Sequence, residues 1–98
     1  MLVDGVNNAQ VQASVTVYQL ELMKHAIGFD RGKVKRGKYI AWRNYYCSYE
    51  ECDNWNRLVL LELAVKAERG KAIYYFLTDK GLAFVGSTLG LKVVEDKD

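Results

Sequence analysis

Ninety-eight residues, half of them hydrophobic, are enough chain for one small packed domain and too few for two. No long uncharged apolar run occurs, and the start lacks a basic segment followed by an apolar block. Neither a membrane span nor a secretory signal is expected, and the expected location is the cytoplasm. Net charge is only +2, but Arg31, Lys33, Lys35, Arg36, Lys38 and Arg43 form one stretch without an acidic residue, while most carboxylates lie from Glu50 onward. A basic block inside a near-neutral chain marks either an anionic partner or a solvated loop.

Residues 1–15 show no period and are rich in Asn and Gln, which suggests a flexible arm. A short strand through Val11, Ala13 and Val15 is the alternative. Thr16-Val17-Tyr18-Gln19 fits a capping box, in which Thr16 and Gln19 satisfy each other's backbone amides. Leu20, Met23 and Ile27 then recur on one face, predicting a helix from Val17 to Ile27 that Gly28 stops. His25 lies off that stripe, at the surface. Residues 29–37 read as a loop. Residues 38–47 read as extended, most clearly from Arg43 to Cys47, because aromatic residues are dense there. A short helix over Tyr39–Asn44 competes with that reading.

Ser48-Tyr49-Glu50-Glu51 matches a second capping box and predicts a helix from Tyr49 to Leu61. Tyr49, Cys52, Asn56, Val59, Leu60 and Leu63 would line one side, with Asn56 the only polar break. Ala64–Glu68 and Lys71–Leu77 read as a β-hairpin around Arg69-Gly70. Thr78 suits the N-cap of a last helix with Asp79 in its first turn, Leu82, Val85 and Leu89 on its inner face, and Gly90 at its end. Residues 91–94 could return as a strand, and residues 95–98 are expected to fray. The expected core unites Leu20, Met23, Ile27, Val59, Leu63, Tyr75, Leu82 and Val85.

Two segments carry a resemblance to a known family. Arg57-Leu58-Val59-Leu60-Leu61-Glu62-Leu63-Ala64-Val65-Lys66 resembles the end of a recognition helix running into a wing. Tyr74-Tyr75-Phe76-Leu77-Thr78-Asp79-Lys80-Gly81 resembles the strand leaving the wing, closed by a Leu-Thr-x-x-Gly helix start. The chain is thus similar to winged-helix (winged helix-turn-helix) domains, and to small proteins encoded by phages and mobile elements. The resemblance implies an α+β fold over residues 16–94, with three or four helices plus a hairpin wing. Two places depart from the family. Glu62 stands where the family usually has Gly, implying a different turn or a longer helix. Residues 29–48 do not clearly supply the extra helix of a complete helix-turn-helix.

The function implied is duplex DNA binding by a phage or mobile-element accessory or regulatory factor. Asn54 and Arg57 on the second helix would face base edges. Arg69 and Lys71 on the wing, with Arg31, Lys33, Lys35, Arg36, Lys38 and Arg43, would hold phosphates. Glu50, Glu51 and Asp53 oppose this, since they would repel phosphates. The alternative is a protein-interaction module, a homodimer or a host-protein binder. Tyr18, Tyr39, Trp42, Tyr45, Tyr46, Tyr49 and Trp55 crowd the middle of the chain, and such residues anchor interfaces. Catalysis is not expected: Ser14, Ser48, Cys47 and Cys52 have no base assigned to them, since the lone His25 sits on another element. Cys47 and Cys52 read as free structural thiols, and neither a metal nor a cofactor is implied.

Overall fold

In the computed structural model, which describes residues 14–96, Thr16 opens helix α1 (Val17–Ala26). The Thr16 hydroxyl accepts from the Gln19 amide at 3.0 Å, and the Thr16 amide donates to the Gln19 side chain at 2.9 Å. The arm expected over residues 1–15 lies outside the described residues except for Ser14 and Val15, and Val15 packs half-buried against the core. Strands β1 (Lys38–Ala41) and β2 (Tyr46–Ser48) follow, then helix α2 (Asp53–Leu60), the hairpin of β3 (Ala64–Arg69) and β4 (Ala72–Leu77), helix α3 (Asp79–Leu89) and strand β5 (Lys92–Glu95). The domain is α+β, with three helices among the described residues rather than four. A 3-10 turn at Arg31–Lys33 and strand β1 occupy the region where a further helix could have stood, so Tyr39–Asn44 is not helical.

Two sheets frame the core. β2, β4 and β3 form an antiparallel sheet in that order, while β1 and β5 pair in parallel. Strand β4 alternates: Ile73, Tyr75 and Leu77 point into the core, and Ala72, Tyr74 and Phe76 point outward, half-exposed. Met23, Ile27, Leu63, Tyr75, Leu82 and Val85 are buried as expected, with Leu20 and Val59 packed half-buried at the margin. Trp55, wholly buried, lies between Tyr46 and Tyr75 with both ring centroids at 5.4 Å.

Helix α2 differs from expectation at its start. Ser48 is not a cap. It ends β2 opposite Ile73, and its hydroxyl donates to the Glu50 carbonyl at 2.7 Å while accepting from the Glu50 amide at 3.2 Å. Pairing with β4 thus holds Ser48 extended, and the helix begins only at Asp53. The buried face is correspondingly Trp55 and Leu58, while Tyr49 and Leu60 are exposed. Asn56, the polar break, has a reason: it accepts from the Tyr75 hydroxyl at 2.9 Å and donates to Glu51 at 2.9 Å, and Glu51 pairs with Lys66 at 2.6 Å. Those hydrogen bonds hold the Glu51 carboxyl below its ordinary pKa and raise that of Lys66.

Glu62 does not lengthen the helix, which ends at Leu60. It takes the glycine-like conformation itself, at φ +66°, which costs a residue with a side chain about 1–2 kcal/mol. The Leu-Thr-x-x-Gly piece then closes on this junction. Thr78 caps α3 by accepting from the Gly81 amide at 3.0 Å, and its hydroxyl donates to the Glu62 carbonyl at 2.8 Å. The Thr78 amide donates to the Leu63 carbonyl at 3.1 Å. Gly81 is needed because a Cβ there would collide with the Leu63 carbonyl oxygen and lie 3.1 Å from its carbon. At the far end Gly90 ends α3 as expected, in a left-handed conformation, but β5 runs one residue beyond the predicted strand, so Glu95 is paired rather than frayed.

Candidate nucleic-acid interface

The basic block folds into a tight, defined turn. Asp30 accepts from the Gly32 amide at 2.9 Å and starts the 3-10 turn carrying Arg31 and Lys33. Lys35 and Lys38 then exchange backbone hydrogen bonds of 2.9 and 3.0 Å. Between them Arg36 and Gly37 have φ +55° and +74°, the two positive values that a type I′ hairpin turn requires. The Lys92 amide donates to the Gly37 carbonyl at 2.9 Å, which ties the turn to β5. Lys92 also lies opposite Lys38 in the β1–β5 register.

Arg31, Lys33, Lys35, Arg36, Lys38 and Lys92 are all exposed. The ion pairs among the described residues, Lys24–Glu21, Lys66–Glu51 and Lys80–Glu62, use none of them. Like charges gathered this way repel, and an anion would relieve them. Lys92 went unnoticed in the sequence. Its only signal was the apolar pair Val93-Val94 beside it, which hinted at a strand without saying what that strand would pair with.

The other expected contact residues divide. Arg43 is withdrawn into the structure: its guanidinium donates to the His25 carbonyl at 2.6 Å and stacks over Trp42 at 4.9 Å. Together with the Tyr45 amide, which donates to Ala26 O at 3.0 Å, it satisfies carbonyls at the C-terminal end of α1. Asn54 is also engaged, since its side chain accepts from the buried Gln19 amide at 3.3 Å and so joins α2 to α1. Arg57 is exposed on α2, a helix of eight residues whose approach carries Glu50, Glu51 and Asp53. Arg69 and Lys71 are exposed at the tip of the β3–β4 hairpin, which belongs to the other sheet. The structure therefore leaves five of the expected cations exposed on two successive turns and the start of β1, with Lys92 opposite Lys38, keeps two more on the hairpin, and engages Arg43 and Asn54 elsewhere.

Cys47 and Cys52 are free and half-buried. No helix among the described residues is long and apolar enough to cross a membrane. Comparison of the chain with known protein families, with curated proteins and with solved structures gives no match.

Proposed function

We propose that the chain binds duplex DNA through its phosphates, as a small winged-helix-like accessory or regulatory factor of a phage or mobile element. The observation carrying this reading is the exposed basic segment, in which a 3-10 turn carrying Arg31 and Lys33 leads into the type I′ turn of Lys35, Arg36 and Lys38, with Lys38 opposite Lys92 and none of these cations in the ion pairs among the described residues. The hairpin with Arg69 and Lys71 at its tip, and the Thr78-capped helix behind it, support the winged-helix part. Phosphate contacts position a protein without reading sequence. With Asn54 tied to Gln19, only Arg57 on α2 remains to reach a base edge.

Retention on immobilised duplex DNA tests this. The native chain should elute at higher salt than a variant carrying Lys33→Gln, Lys35→Gln and Arg36→Gln, and equal elution refutes it. The second reading, a protein-interaction module, draws on the exposed Trp42, Tyr49 and Leu60, of which Tyr49 and Leu60 are 75% and 79% exposed. A solution mass above that of one chain, reduced by Trp42→Ala, would favour it.

A further inference from the structure

The outer face of the β2–β4–β3 sheet is aromatic, and no helix among the described residues packs on it. Tyr74 and Phe76 stand on it as alternate residues of β4, nearly parallel at 17° with centroids 6.4 Å apart. Tyr45, leading into β2, places its ring 6.2 Å from Tyr74. The register sets Cys47 and Ala67, both small, on either side of the half-exposed Tyr74. A cleft of about 360 Å³ runs among Tyr45, Arg69, Tyr74 and Phe76. Among the described residues, three rings and one guanidinium line it, with no carboxylate.

We propose that this face is a stacking platform for single-stranded nucleic acid, with bases on Tyr45, Tyr74 and Phe76 and a phosphate on Arg69. The inference rests on the phosphate-binding reading above and adds the form of the nucleic acid. Aromatic rings beside a cation accept any base by its π-face while the cation follows the backbone. Bases in a duplex are enclosed by their own stack and cannot reach such rings, so the occupant is a single strand. Strand β4 is held from both sides by β2 and β3, so two of the rings are in place before binding.

Fluorescence anisotropy with a labelled oligothymidine strand and a duplex of equal length, at about 50 mM salt, tests this. The strand should bind more tightly than the duplex. Tyr74→Leu and Phe76→Leu keep apolar bulk but lose the π-face, and each should weaken strand binding by between about five- and 150-fold. Duplex binding should not change, and Phe76→Tyr should bind the strand as the native chain does. Tyr45→Leu, in the loop rather than in a strand, gives the same test without risk to the sheet. Leucine variants that bind the strand normally overturn the proposal, and so does a lowered solution mass, which would make the face a contact between copies. Duplex binding with no preference for the strand overturns this proposal alone. If neither nucleic acid binds, the phosphate-binding reading fails with it.

Discussion

Gly81→Ala is expected to destabilise the fold strongly for so small a substitution, and the structure gives its size. Gly81 lies in the first turn of α3, where alanine is normally preferred by about 0.5–1 kcal/mol. Against that, the new Cβ would meet the Leu63 carbonyl oxygen, a backbone atom that cannot rotate away. Overpacking of this kind costs about 1–3 kcal/mol. To relieve it, α3 must move off the α2–β3 junction, which stretches the Thr78 bonds to Leu63 O and Glu62 O, each contributing about 0.5–1.5 kcal/mol. The net loss is about 1–5 kcal/mol. Urea unfolding followed by circular dichroism measures it directly, and the melting temperature should fall by at least about 4 °C. Ala83→Gly, at an exposed site of the same helix, isolates the propensity contribution and should lose only about 0.5–1 kcal/mol. A Gly81→Ala protein as stable as the native one would refute the close approach and, with it, the physical reason given for the Leu-Thr-x-x-Gly piece.

Glu62→Gly should raise stability by about 0.5–1 kcal/mol, because it relieves the left-handed φ and loses only an exposed 3.6 Å pairing with Lys80; a lower melting temperature would count against it. Asn44→Ala should cost about 2–3 kcal/mol in denaturant unfolding, since the Asn44 amide both donates to Leu77 O at 2.9 Å and accepts from Leu77 N at 2.8 Å, and both groups would lose their partner. Burial raises the pKa of the Tyr75 phenol, and burial together with the nearby Asp30 carboxylate raises that of Tyr39. Their stabilising contribution is complete below the unfolded value near 10 and is lost as pH rises through the folded pKa. Stability should therefore fall in alkali, less steeply in Tyr75→Phe, and an identical alkaline slope in the two proteins would contradict this.

The parts of the fold legible in the sequence are those set by near neighbours. The Thr16–Gln19 box, the Arg69-Gly70 hairpin and the Thr78 cap each depend on residues within a few positions, so their patterns survive folding unchanged. What was misread depends on distant partners. Ser48-x-x-Glu51 satisfies the capping pattern, but β4 claims Ser48 as a strand residue and moves the start of α2 to Asp53. The β1–β5 pairing joins strands separated by two helices and the β3–β4 hairpin, and no local signal connects Lys38 with Lys92. The candidate interface follows the same division. The cations of the turn were visible as composition, whereas the withdrawal of Arg43 to α1 and of Asn54 to Gln19 comes from packing between elements.

The salt dependence of duplex binding tests the central claim most directly. The logarithm of the affinity should fall linearly with the logarithm of salt concentration, with a slope of about 0.9 per phosphate contacted. Replacing Lys33, Lys35 and Arg36 together by glutamine should lower that slope by about 2–3 and weaken binding to all sequences alike. A chain that shows no salt-dependent binding to duplex DNA at about 50 mM salt, or a triple variant with an unchanged slope, would contradict the account.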